Sequence, residues 1–154
     1  MKRIGYFLGP ILIGFLVGYF AGMVQSEAIA NWYPSLKKPS LTPPNSLFPV
    51  AWGIIYILSG ISLGFILRTV NMRKSTLVAL FAIQLFLNFL WCLVFFGMKN
   101  PAGGMVIIVL LLIDLLTYAA FAWCVNKWST WLFAPYILWV CFATYLNAYI
   151  WMYN

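Results

Sequence analysis

The chain has 154 residues, 65% of them hydrophobic and 7% charged, with a mean hydropathy of +0.97. That balance excludes a soluble globular domain and predicts an all-α integral membrane protein, because each span needs about 20 apolar residues whose backbone groups are paired within the segment. The net charge of +7 rests on nine basic residues scattered singly or in pairs at the ends of apolar runs, which excludes a basic nucleic-acid-binding face.

Five spans are predicted, over 4–25, 49–68, 76–96, 105–125 and 131–151, in a single five-helix transmembrane domain covering 1–154 with its termini on opposite sides. Span 1 carries Gly14, Gly18 and Gly22 at four-residue intervals, a ridge suited to close approach by another helix of this chain or of a second copy. Lys2, Arg3 and Ala28-Ile29-Ala30 imitate a cleavable signal peptide, but the apolar run is longer than a signal core, so a retained helix is expected. The loop 26–48 follows. Five of the eight prolines fall between Trp32 and Trp52, and prolines stiffen and extend the chain. A connection that long is expected to act as a lid over a pocket.

Span 2 opens at Pro49, a suitable first-turn residue, and Trp52, Tyr56, Ser59 and Gly60 share one of its faces. Span 3 carries a second stripe, Gln84, Asn88, Trp91 and Phe95, which should face the bundle interior because amides in hydrocarbon are costly unless paired. Residues 99–104, with Pro101, Gly103 and Gly104, read as a tight turn into span 4, which holds Asp114, the only acid inside a span. Such a residue marks either a functional site or a buried packing contact. After a turn at 126–129, span 5 presents Trp139, Ala143 and Asn147 at four-residue steps, flanked by Phe142 and Leu146.

Lys2, Arg3, Arg68, Arg73, Lys74 and Lys127 gather on the N-terminal side, against Lys37, Lys38 and Lys99 opposite. The positive-inside rule then makes the N-terminus cytoplasmic and turns the long loop outward, with the cell membrane as the expected location. Cys92, Cys124 and Cys141 are expected to be buried free thiols. With no histidine in the chain and only Glu27 and Asp114 as acids, metal binding and ordinary acid-base catalysis lack candidate residues. Trp32, Trp128, Trp131, Trp151 and Tyr153 suit interfacial belts, whereas Trp52, Trp91 and Trp139 lie deeper and are candidates for a pocket lining.

The ordered set Trp32-Tyr33-Pro34, Lys38-Pro39, Pro43-Pro44, Phe48-Pro49, Trp52, Tyr56, Gln84, Asn88, Trp91, Asp114, Pro135-Tyr136, Trp139, Phe142-Ala143, Leu146-Asn147 and Asn154 closely resembles the tryptophan-rich sensory protein family, also called the translocator protein or peripheral benzodiazepine receptor family. The resemblance covers essentially the whole chain. It implies a five-helix bundle, commonly a homodimer, with a cavity toward the first loop that takes protoporphyrin IX and related tetrapyrroles, sterols, or synthetic isoquinoline carboxamides and benzodiazepines. It assigns the cavity to Tyr33, Pro44, Trp52, Asn88, Trp91, Trp139, Phe142, Ala143 and Asn147. The family's proposed cholesterol motif needs a basic residue after the tyrosine of span 5, and Tyr149 is followed by none, which weighs against sterols.

No cofactor is required on this reading; a metal-free porphyrin is ligand or substrate, since the chain lacks the histidine that usually holds haem iron. Relatives in bacteria are associated with light- and oxygen-dependent porphyrin breakdown, and Trp52 and Trp139 are the expected reactive pair. Transport and non-catalytic sensing of porphyrin or sterol-like ligands are the alternatives; five helices offer no pair of equal halves for alternating access.

Overall fold

The computed structural model describes residues 2–154, with side chains from Ile4 onward, so the side chains of Lys2 and Arg3, which the orientation reading counts, lie outside the described residues. Five helices make up the fold: α1 (Lys2–Asn31), α2 (Leu47–Arg68), α3 (Lys74–Cys92), α4 (Pro101–Trp123) and α5 (Lys127–Tyr153). All five are long and apolar enough to cross a membrane. α3 continues into a π turn over Leu93–Gly97, closed by the Met98 amide donating to the Leu93 carbonyl at 2.8 Å. A 3-10 turn, Tyr33–Ser35, opens the loop.

Helix ends depart from the apolar runs for local reasons. α1 continues past Gln25 to Asn31 because Ser26–Asn31 contain neither proline nor glycine; loss of hydropathy marks the edge of the lipid, not the end of hydrogen bonding. α4 starts at Pro101 rather than 105, since the Asn100 side chain caps it by accepting from the Gly103 amide at 2.9 Å and Pro101 fills the first helical position. Gly103 and Gly104 are therefore helical, and the predicted turn shrinks to residues 98–100. α5 starts at Lys127, capped by Asn126, which accepts from the Trp128 amide at 2.9 Å.

The helices close a ring in the order α1, α2, α5, α4, α3 and back to α1. Away from the loop, Ser62 of α2 and Ser129 of α5 clasp each other, their hydroxyls 2.7 Å apart, and the Ser62 hydroxyl lies 3.1 Å from that of Tyr118 on α4. All three residues are fully buried, and each hydroxyl has a partner, as the hydrocarbon interior requires. Two of the three ridge glycines of α1 pack within the chain: Gly14 and Gly18 seat the ring of Tyr56, whereas a Cβ on Gly22 would meet nothing within 4 Å.

The expectation of buried thiols holds for Cys92 alone; Cys124 and Cys141 are exposed on the outside of the bundle. In the most apolar stretch of each span between 17% and 44% of the residues are buried, so most of them keep some exposure on the outside of the bundle. Where both faces are apolar, hydropathy cannot separate inside from outside. Trp32 also departs from the belt reading: it is half-buried with its ring edge-on to Phe95, centroids 5.7 Å apart.

Candidate functional site

The hollows lie in the loop-side half of the bundle. The first, of about 300 Å³, is walled by Phe15, Gly22 and Gln25 of α1, Trp52 and Tyr56 of α2, and the buried Asn88 and Cys92 of α3. Gln25 and Trp52 also line a second hollow of about 30 Å³, shared with Tyr33, Phe48, Trp91 and Phe96. A third of about 30 Å³ continues from Tyr33, Phe48 and Trp91 to Ala143 and Asn147 of α5. The three share walls in succession, running from the α1–α2 seam across the bundle to α5.

Helix geometry explains the lining. Phe48, Trp52 and Tyr56 recur every four residues on α2, and Gln84, Asn88 and Trp91 follow three- and four-residue steps on α3, so each set shares an inward face. Trp52 stacks on Tyr56 at 5.8 Å and 27° and meets Tyr136 edge-on. Asn88 donates to the hydroxyls of both Tyr56 and Tyr136 at 3.4 Å, long contacts for amide donors. The Trp91 indole N–H donates to Asn147 Oδ1 at 3.0 Å, and Asn147 Nδ2 donates to the Pro101 carbonyl at 2.7 Å, so one amide joins α3, α4 and α5.

The loop rests over this end. Tyr33 is buried against Phe96, and its burial raises the phenol above its ordinary range. Lys38 Nζ donates to the Tyr33 carbonyl at 2.6 Å and lies 4.6 Å from the centre of its ring. The Asn154 side chain grips Lys37, accepting from its amide at 2.8 Å and donating to its carbonyl at 3.1 Å. Loop and C-terminus are thus pinned to each other.

Of the residues the sequence nominated, Tyr33, Trp52, Asn88, Trp91, Ala143 and Asn147 line these hollows. Trp139, Phe142 and Pro44 line none of the three. The Trp139 ring meets Phe48 edge-on at 5.8 Å and Phe142 at 6.0 Å, so Phe48 stands against it. Pro44 is exposed, and its carbonyl accepts from the Leu47 amide at 2.9 Å where α2 begins. Sequence reasoning missed Gln25, Phe48 and Phe96. Gln25 lies three residues past Gly22 on the Gly18–Gly22 face of α1, a spacing present in the sequence within the predicted span.

The lining offers amides, phenols, indoles and one thiol. No group of three or more metal-ligating side chains occurs among the described residues. Asp114 is buried on α4, and its Oδ2 has no hydrogen-bond partner, as is true of both amide atoms of Gln84. Neither residue lines the three hollows. The arrangement can bind a flat apolar molecule by area and orient its polar edge by amides, and its indoles and phenols can exchange electrons.

The chain is 47% identical over 133 residues to the tryptophan-rich protein TspO of Chlorobaculum tepidum, covering 83% of each chain. It is 36% identical to the protein of the same name in Archaeoglobus fulgidus, covering 100% of this chain and 97% of that one. With the translocator protein of Bos taurus it shares 32% identity over 100% of this chain and 90% of the relative. The family pattern described as TspO/MBR matches residues 8–152, and with five membrane-length apolar helices the chain belongs to the TspO/MBR family of multi-pass membrane proteins.

Proposed function

We propose that this protein is a membrane receptor for protoporphyrin IX and related tetrapyrroles, bound in the loop-side cavity. The observation that carries the reading is the continuous lining from Trp52 through Tyr33 and Trp91 to Asn147, aromatic walls with an amide at either end. Small-molecule sites usually occupy about 300–1,000 Å³. The first hollow stands at the low end of that range, so a macrocycle must widen the two inner ones. Tyr33, Phe48, Trp91 and Phe96 line both; of these Phe48 is the one that also stands against Trp139, and the 32–46 segment above it is the lid that moves. Isoquinoline carboxamides fit the same chemistry, an aromatic body with one amide edge. The reading further takes the protein as a homodimer in the cell membrane, with its N-terminus cytoplasmic and the loop outside.

Photochemistry follows from the indoles. In light the bound porphyrin accepts one electron from an indole and passes it to dioxygen as superoxide, and the indole cation then takes an electron from the macrocycle. The net electron moves from porphyrin to dioxygen, leaving a ring open to oxidative breakdown. Trp52 is on the cavity wall, and a ligand that displaces Phe48 also meets Trp139, the second member of the reactive pair.

The test is a dark titration of the purified protein with protoporphyrin IX, followed by tryptophan fluorescence and porphyrin absorbance, then illumination in air. Saturable quenching and porphyrin loss faster than in detergent alone are expected. Replacing Trp52 and Trp139 by phenylalanine should slow the loss at least tenfold with binding retained. Saturable binding with no accelerated loss would move the reading to a non-catalytic sensor or carrier, and no saturable binding would refute the receptor itself.

A further inference from the structure

α1 and α2 pack unevenly along their length. Away from the loop they are in intimate contact: a Cβ on Gly60 would lie 2.8 Å from the Ile11 backbone nitrogen, and one on Gly18 only 2.5 Å from the Tyr56 ring. One turn closer to the loop the contact ends. A Cβ on Gly22 meets nothing within 4 Å, and one on Gly53 touches only the edge of Phe15 at 4.0 Å.

This parting of the helices is the mouth of the 300 Å³ cavity. Its rim is Phe15 and Tyr19, 43% and 65% exposed, and its inner wall is Asn88 and Cys92, 1% and 4% exposed. The cavity therefore runs from the outer surface of the spans to the buried core. Gly22 is nine residues before the end of α1, about 13 Å along the axis at helical rise, within the acyl-chain layer of the loop-side leaflet. At the loop end, a hollow of about 480 Å³ between the loop, the α3–α4 turn and the C-terminus shares only Ile150 with the inner hollows, and those are about 30 Å³ each beneath the pinned loop.

We propose that the α1–α2 seam is a doorway through which amphiphiles dissolved in the bilayer reach the cavity sideways, with Gly22 and Gly53 as its threshold and Phe15 and Tyr19 as its rim. The class admitted is a slim or flat apolar body carrying one polar edge. The small threshold residues pass the apolar body, while Gln25 and Asn88 receive the polar edge inside. A molecule already partitioned into lipid keeps its apolar surface out of water throughout, which removes the desolvation barrier an aqueous path would impose. The proposal rests on the reading of this cavity as a ligand site.

Cys92 at the inner wall is a built-in reporter, and its labelling involves no porphyrin. The protein carrying Cys124→Ala and Cys141→Ala is placed in lipid nanodiscs. It is treated with phenylmercuric chloride, which is neutral and lipid-soluble, or with charged p-chloromercuribenzenesulfonate, and Cys92 modification is timed by mass spectrometry. The neutral reagent should label at least tenfold faster. Gly22→Leu, at a position with open space, should slow that labelling at least tenfold, and Phe15→Ala should speed it. Equal rates for the two reagents, no labelling by the neutral one, or unchanged rates in both Gly22→Leu and Gly53→Leu would overturn the doorway. Porphyrin titration of the same sample separates this outcome from failure of the receptor reading.

Discussion

Asn147 is the side chain whose removal should be felt furthest. Asn147→Ala leaves the Trp91 indole N–H without its acceptor at 3.0 Å and strips the 2.7 Å donor from the Pro101 carbonyl. The carbonyl belongs to the first turn of α4 and keeps a helical amide within range, so the indole bears most of the loss. Interhelical hydrogen bonds in membrane proteins are worth about 0.6 kcal/mol on average and about 1.7 at most. Two such bonds at a residue 1% exposed, with the small void left behind, give about 2 kcal/mol, or roughly thirtyfold in the unfolding constant. Trp91→Phe removes the same donor while an aromatic ring remains against Phe95, where the indole stacks at 5.3 Å. The two changes should therefore couple by about 1 kcal/mol in a double-mutant cycle. Reversible unfolding in mixed micelles of rising dodecyl sulfate fraction, followed by far-ultraviolet circular dichroism, measures all four proteins. A coupling below about 0.3 kcal/mol, the additivity limit for independent sites, would refute the assignment of Asn147 as the joint of three helices.

Gly18→Ala should destabilise by about 1–3 kcal/mol in the same assay, because its Cβ would press to 2.5 Å on a Tyr56 ring that Asn88 holds from the other side. An unchanged midpoint would mean that α1 swings freely on α2. Ser62→Ala should cost about 1 kcal/mol by leaving the Tyr118 hydroxyl short of a partner, without altering porphyrin affinity; a loss of affinity would link the far half of the bundle to the cavity. Asp114→Asn should leave protoporphyrin affinity within twofold, since Asp114 lines none of the three hollows. A tenfold change in dark titrations would give that carboxyl a part in binding.

Much of this was legible from residue spacing. The four- and three-residue steps of Gln84, Asn88 and Trp91 turn one face of α3 inward wherever the helix is placed, and amides in hydrocarbon have only one tolerable direction to face. The ends of α1 and α4 were less legible, because helix and lipid have different boundaries: Ser26–Asn31 are too polar for the hydrocarbon yet entirely helical. Trp139 shows a second limit. Its position beside Ala143 and Asn147 is right for a lining, but Phe48, reaching across from α2, covers it, and no spacing within α5 reports a side chain from another helix. Cys124 and Cys141 show a third, since a helix apolar all round carries no signal for which side meets lipid.

The bundle divides along its length into a half that holds and a half that yields. Away from the loop, three buried hydroxyls bridge α2, α4 and α5, and α1 lies against α2 at backbone distance. Toward the loop, the Asn88 contacts are long at 3.4 Å, α3 slackens into a π turn, and α1 separates from α2 above Gly18. Motion of small free-energy cost belongs where packing is sparse, here the loop-side part of the α1–α2 seam rather than the Trp91–Asn147–Pro101 joint of α3, α4 and α5. A ligand that widens the inner hollows will therefore splay the loop-side ends of α1 and α2 about the Gly18–Tyr56 contact, carrying the 32–46 segment with them, while the serine clasp stays closed. The same contact makes Tyr56 the pivot of that motion as well as a wall of the cavity, so widening is felt first at the Asn88 hydrogen bonds that hold its hydroxyl.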